Sequence, residues 1–240
     1  MTTFKALGID FPLFDAPAED ASDYAGVATC SFCSAQTHSF SLGIGCYVQV
    51  RCATCGVENW LDADDRANGL CRSCARPVEF PFLGDGEVLI CYDCLRSGRA
   101  AITKDTEFGM VSWEQALSGV THGVPGLKTD KFPVVDNGNG WYGAVIPSQH
   151  LLELLRTPTP STIQGETWLF CCQQPMTFIG RWSRANFSHY APDGDGRAYL
   201  ERLLGKHVPG LWEDDLHDVT GIYVYRCPFC RREVANWDIA

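Results

Sequence analysis

Between residues 30 and 94 the chain places four Cys-x-x-Cys pairs: Cys30 and Cys33, Cys52 and Cys55, Cys71 and Cys74, Cys91 and Cys94. Two intervening residues let a tight turn aim both sulfurs at one point, and two such pairs close a tetrahedral four-thiolate zinc site with bonds of ~2.3 Å. Eight ligands predict two zinc ions. Sequential, nested and cross-brace partnerships all leave loops the chain can close, because closure entropy grows only slowly with loop length. Composition favours nesting: Cys52 to Cys74 reads as a self-contained ribbon, with a knuckle at each end, set into the loop of an outer site made by Cys30, Cys33, Cys91 and Cys94.

The other bounds agree with zinc. Thirteen cysteines in 240 residues would suit a disulfide framework in a secreted protein, but the N-terminus lacks the basic flank and apolar run of a secretory signal, and no stretch reaches the ~20 apolar residues of a membrane span. The expected location is therefore the cytoplasm, where thiols stay reduced and zinc protects those it binds. The formal charge is −10, with 19 Lys plus Arg against 29 Asp plus Glu. Each four-thiolate zinc site lowers it by roughly two more. Nucleic-acid binders need a basic stripe to displace counterions. The only candidate patch is Arg72, Arg76, Arg96, Arg99 and Lys104, which reads more simply as solvated surface charge.

In chain order, Phe4, Phe11 and Phe14 among Asp and Pro residues predict an irregular arm anchored by its rings. Ser39 to Val50, with Gly43 and Gly45 inside it, predicts a bent strand or hairpin in which Cys46 is a small core residue. Gly56 closes the Cys52 knuckle with a positive φ, and Asp62, Asp64 and Asp65 form an acidic tip. Gly84 to Gly86 reads as a turn before a short strand, Val88 to Ile90. Ser112 and Gln115 form a capping box for a helix that ends at Gly119. Residues 123 to 140, rich in Pro, Gly, Asp and Asn, predict a connector. A strand from Trp141 and a helix capped by Ser148 follow, and Pro158 and Pro160 end that helix. Further on, 167–172, 176–182 and 221–226 read as strands, with one helix at Arg197 to Leu204. The Asp193 to Gly196 stretch fails as a calcium loop, because Ala198 stands where glycine is needed and Leu204 where a bidentate glutamate is needed, so it reads as a turn and helix start.

Cys227 and Cys230 form a fifth pair. The ten residues that follow are too few for a thioredoxin-like fold, so a zinc knuckle is the better reading of this pair. Its partners would be Cys172 and Cys171, although adjacent strand residues point to opposite faces, so both bind only if the backbone kinks. Otherwise His189 or His217 replaces Cys171. An open zinc at this third site is the one place where catalysis could arise. No HExxH, deaminase, GxSxG or Walker pattern accompanies it, and no catalytic or organic-cofactor residue is identified. Glu213, Asp214, Asp215 and Asp218 read as a solvated acidic face, or in a sharper reading as a docking surface for a basic partner.

Five stretches together resemble the CbrC family, whose members are described as colicin-tolerance proteins: CSFC at 30–33, CYDCLRSGRAAITKDTEF at 91–108, LLRTP at 154–158, IQGETWLFCCQQPMTFIG at 163–180 and GIYVYRCPFC at 221–230. Members of that family carry an early CxxC and a CPWC-like pair, matching Cys30, Cys33, Cys91 and Cys94, with Tyr92 and Asp93 in place of Pro and Trp. Many have His-Cys where this chain has Cys171 and Cys172, which implies metal binding at both positions. The resemblance implies that the Cys52 to Cys74 ribbon is an addition to a shorter core, and it carries no established enzymatic activity.

The expected fold is α+β: a zinc-ribbon N-terminal half with two nested four-cysteine sites, joined to a β-rich C-terminal half with short helices and a candidate third zinc knuckle. The expected divisions are a cysteine-rich domain over 1–110 with the inserted ribbon at about 50–76, a helix-and-strand connector over 111–162, and a β-rich domain over 163–240. The expected role is a zinc-binding intracellular protein that docks a protein partner of basic character and confers colicin-type toxin tolerance or immunity. The alternatives are a zinc-ribbon nucleic-acid-binding or regulatory module and a zinc-dependent hydrolase. No small-molecule substrate is identified.

Overall fold

The computed structural model describes residues 2–43, 45–63, 69–78, 80, 87–213 and 220–240. It is a mixed α+β structure built from small antiparallel sheets and five short α-helices among those residues. No helix among them is long and apolar enough to cross a membrane. Asp64 and Asp65 of the acidic tip, the Gly84 to Gly86 turn, His217, and Asp214, Asp215 and Asp218 lie outside the described residues.

The first sheet runs in the order β1 (Tyr24–Thr29), β2 (Gln36–Leu42), β5 (Val88–Cys91), and the second in the order β4 (Glu58–Asp62), β3 (Tyr47–Arg51), β6 (Ala100–Ala101). The segment from Ser39 to Val50 is therefore not a hairpin. Its two strands join different sheets, and the chain turns the corner between them through Gly43 and Gly45, the latter at φ 75°. Because β2 pairs with β5 across the whole ribbon, Ser39 opposite Cys91, the chain between them must leave and return as one excursion. That excursion contains the β3–β4 hairpin.

The irregular N-terminal arm is held by its rings. Phe4, Phe11 and Phe14 are all buried, and Phe4 lies edge-on to Phe40 of β2 at 5.5 Å between centroids. Phe11 meets Tyr92 at 5.2 Å and Phe14 meets Phe178 at 5.2 Å. Leu13 and Asp15 also exchange backbone hydrogen bonds with Phe178 at 2.9 and 2.8 Å, so the arm joins the cysteine-rich segment to the C-terminal sheet.

Helix α1 (Tyr92–Arg96) begins directly on Cys91. Helix α2 (Trp113–Ser118) starts at the predicted capping box of Ser112 and Gln115 and stops at Gly119, φ 72°. Residues 123–140 do not form a plain connector. They contribute β7 (Val124–Pro125) and β8 (Val134–Gly138), which flank β9 (Trp141–Ala144) in one sheet. The reason is the Asn139-Gly140 pair: both residues take positive φ, 55° and 79°, the twist that a two-residue hairpin requires. Helix α3 (Ser148–Leu154) packs Leu151 and Leu154 inward and follows Pro147.

The last sheet orders β12 (Thr177–Arg181), β13 (Thr220–Arg226) and β14 (Glu233–Ile239). Two helices precede β13, not one. Helix α4 (Arg184–Tyr190) is capped by Ser183, which accepts from the Asn186 N–H, and helix α5 (Gly196–Leu204) is capped by Asp195. The smaller hydrophobic cluster, including Trp182, Phe187, Leu200 and Ile222, sits between these helices and the sheet, while the larger one extends from Phe4 to Cys227.

Candidate metal centres

Three groups of four cysteines have their sulfurs within 4.8 Å of one another: Cys30, Cys33, Cys91, Cys94; Cys52, Cys55, Cys71, Cys74; and Cys171, Cys172, Cys227, Cys230. The first encloses the second in sequence, which is the nested arrangement. Cys46 is buried and belongs to none of the three.

Four of the five Cys-x-x-Cys pairs share one backbone device. In each, the residue after the second cysteine is left-handed: Ser34 (φ 63°), Gly56 (75°), Ala75 (54°) and Arg231 (63°). Its N–H donates to the carbonyl of the first cysteine, at 2.9, 2.8, 2.9 and 3.0 Å respectively. Backbone N–H groups, from the turns and from β5, also point at sulfur. Phe32 and Cys91 donate to Cys30 Sγ at 3.4 and 3.3 Å, Ser73 to Cys71 Sγ at 3.4 Å, and Cys230 to Cys227 Sγ at 3.5 Å. Only glycine accepts such a φ without strain, yet three of the four knuckles place another residue there. The fifth pair, Cys91 and Cys94, uses the first turn of α1 instead.

The third cluster depends on a hairpin. Strand β10 (Phe170–Cys171) pairs with β11 (Gln174–Pro175) around Cys172 and Gln173, whose φ values are 51° and 62°. Cys172 therefore leaves the strand at a turn of the primed type, and its sulfur comes to 3.7 Å from that of Cys171. Both adjacent cysteines join the group, and His189 does not.

Sulfur spacing tests the fit to a metal. A disulfide would hold the atoms ~2.05 Å apart, whereas the edge of a zinc–thiolate tetrahedron with ~2.3 Å bonds is roughly 3.8 Å. Cys33 to Cys91 is 3.7 Å, Cys52 to Cys74 is 3.7 Å, Cys55 to Cys71 is 3.5 Å, and Cys171 to Cys230 is 3.6 Å. All thirteen cysteines are free of disulfides. The donor set, soft sulfur at tetrahedral spacing, suits zinc.

Electrostatics within each group is uneven. Burial raises the Cys30 thiol, but N–H donation from Cys91 and Phe32 outweighs it and brings it down to about 7. The N–H groups of Cys74 and Ser73 bring Cys71 down to about 6, and that of Arg232 leads in bringing Cys230 down to about 7. Burial drives Cys94 upward, and both burial and its neighbours' sulfurs hold Cys171 up at about 12. Backbone N–H donation thus favours the thiolate at Cys30, at Cys71 and Cys52, and at Cys230, which are the sulfurs best prepared for a bound cation.

Of the five residues expected as solvated surface charge, Arg72, Arg76 and Arg99 are exposed, but Lys104 is not. Lys104 is fully buried, and Arg96 is forked onto Glu153 at 2.6 and 3.0 Å. Glu213 pairs with Arg197 at 2.6 Å. Helix α4 and the left-handed Ser34, Ala75 and Arg231 go beyond what the sequence predicts. Ser183 with Asn186 was the available signal for α4.

The model of an uncharacterised protein family, UPF0167, matches residues 48–239. That span contains ten of the twelve clustered cysteines and begins after Cys30 and Cys33. No curated protein and no solved structure matches the chain.

Proposed function

We propose, for a chain that belongs to the uncharacterised UPF0167 family, the CbrC-type family, that zinc serves as a structural ion in three four-cysteine sites and that the outer surface carries the role by docking a protein partner. One observation supports this most: each cluster supplies four sulfurs at tetrahedral spacing, which leaves a tetrahedral ion no open position for water or substrate. A hydrolytic zinc needs that position. The ligands would be Cys30, Cys33, Cys91 and Cys94; Cys52, Cys55, Cys71 and Cys74; and Cys171, Cys172, Cys227 and Cys230. The formal charge of −10 becomes more negative as thiolates form around each ion. A strongly acidic protein attracts basic partners over long range and speeds their encounter.

The finer reading is toxin tolerance in the cytoplasm, through capture of a basic toxin. It predicts that crosslinked pull-down from the native host recovers a basic protein and that expression protects cells in a colicin-type challenge. Absence of both a recovered partner and protection rejects it. One feature favours a second reading, a nucleic-acid module: Phe229 is 78 % exposed at the Cys227 knuckle, beside the exposed Arg231 and Arg232. An exposed ring with neighbouring arginines suits base stacking. Salt-sensitive binding of single-stranded oligonucleotides, weakened by Phe229→Ala, would support it, and flat titrations at low salt would remove it.

A further inference from the structure

A solvent-open cavity of about 450 Å³ lies where the C-terminal half of α5 meets the start of β14, and Arg202, Arg231 and Arg232 all line it. Its volume falls within the range of small-molecule sites. So local a concentration of positive charge is unexpected in a chain whose formal charge is −10. None of the three arginines forms an ion pair with a carboxylate among the described residues. The one carboxylate in the described lining is already engaged: Glu233 accepts from Arg226 Nε at 2.9 Å through Oε1, and from the Tyr199 hydroxyl through Oε2. No cysteine lines the cavity, so the thiolates of the neighbouring cluster do not meet these arginines inside it.

The two walls are held by separate devices. On the helix side, the Arg202 guanidinium lies 4.7 Å over the centroid of the Tyr199 ring. Stacking on a ring face restrains the guanidinium while its in-plane N–H donors stay available. On the other side, the Cys227 knuckle fixes the backbone of both remaining arginines. The Arg231 N–H donates to the Cys227 carbonyl at 3.0 Å, and the Arg232 carbonyl accepts the Cys227 N–H at 2.8 Å.

Preset guanidiniums with a surplus of positive charge require an anion with several acceptor oxygens. Guanidinium matches phosphate oxygens in a bidentate geometry. A phosphate monoester carries roughly −1.5 to −2 charges and three acceptor oxygens near neutral pH, whereas each internal phosphodiester of a nucleic-acid strand carries a single charge. We propose that this cavity binds a small molecule ending in a phosphate monoester or pyrophosphate group, held by Arg202 from α5 and by Arg231 and Arg232 from the knuckle. The site stands apart from the nucleic-acid reading, because the exposed Phe229 does not line it, and from the protein-partner reading.

Isothermal titration of the full, zinc-loaded chain with inorganic phosphate and with pyrophosphate, and separately with oligothymidylate, tests it. Salt of about 150 mM screens the distant acidic surface and general attraction beyond ~8 Å. The expected result is saturable one-to-one binding of at least one of the two phosphates at about 1 mM or tighter. Arg202→Gln and Arg232→Gln should each weaken it about tenfold or more, the scale of one charge-assisted hydrogen bond. Both side chains are exposed, so the variants should keep the parent's melting temperature. Arg99→Gln, at an exposed arginine that does not line the cavity, should bind as the parent does. If losing the contact with Tyr199 unfolds Arg202→Gln, Arg232→Gln decides. No saturable binding of either phosphate, binding unaltered in a folded cavity variant, equal weakening in Arg99→Gln, or saturable binding of oligothymidylate alone overturns the proposal.

Discussion

Cys33 Sγ lies 3.7 Å from Cys91 Sγ although 58 positions separate them in sequence, and the whole Cys52 to Cys74 cluster is held within the intervening loop. One closure therefore encloses another. Nested partnership predicts that Cys33→Ser and Cys91→Ser disable the same site, and that Cys55→Ser disables a different one. Cobalt titration, read by thiolate charge-transfer absorption, should show that the double variant Cys33→Ser/Cys91→Ser loses one metal equivalent and that Cys33→Ser/Cys55→Ser loses two. The reverse pattern would place the sulfurs in other groups.

Exposure ranks the three clusters. Three of the four outer cysteines are buried, whereas Cys172 and Cys230 of the C-terminal cluster are exposed and only Cys227 is buried. Attack by a chelator needs access to the sulfurs, so metal should leave the C-terminal cluster first and the outer one last. Stopped-flow release into a colorimetric chelator should show separate phases, with Cys172→Ser removing the fastest. A single phase for all equivalents would contradict this ranking.

Phe4 touches Phe11, Phe14, Tyr24 and Phe40 at 5.1 to 5.5 Å between ring centroids. Truncating so enclosed a ring removes transfer free energy and leaves a cavity. Phe4→Ala should destabilise the zinc-loaded protein by about 3–5 kcal/mol in urea. A loss under about 1 kcal/mol would mean that the arm is not docked as described.

Glu166 offers a pH signature separate from the thiols. Burial raises its carboxyl from an ordinary 4.5 to about 7, so the native state holds a proton that the unfolded chain releases across that window. This contribution to stability is complete below the unfolded value and is lost as pH rises through about 7. Between about pH 6 and about pH 8, the parent protein should lose stability more steeply than Glu166→Gln. Parallel slopes would show that Glu166 is not held protonated.

Much of the cysteine clustering was legible because a Cys-x-x-Cys spacing is a local geometric statement: the turn that brings two sulfurs together needs no distant contact. Nesting was legible for a different reason, the self-contained look of the Cys52 to Cys74 ribbon. The Cys171-Cys172 pair resisted reading, since alternation along a strand forbids both from facing one ion, and only positive φ at Cys172 and Gln173 removes the conflict. Helix α4 was hidden because Phe187 is its one fully buried side chain, which leaves no apolar stripe to detect. The sheet over residues 124–144 was misread through its composition, because β8 is exposed along its whole length and carries no apolar alternation among its Asp, Asn and Gly, although Asn139-Gly140 was itself a hairpin marker. Nothing in the sequence linked Asp23, Lys104 and Glu166, whose proximity is purely tertiary.

Native mass spectrometry of the chain purified without added metal or chelator, with a thiol count on the same sample, tests the central claim most directly. Three zinc ions per chain, released together with twelve titratable thiols and with Cys46 accounting for the thirteenth, is the predicted result. A metal-free chain, or one whose mass shows the paired cysteines joined as disulfides, would contradict it.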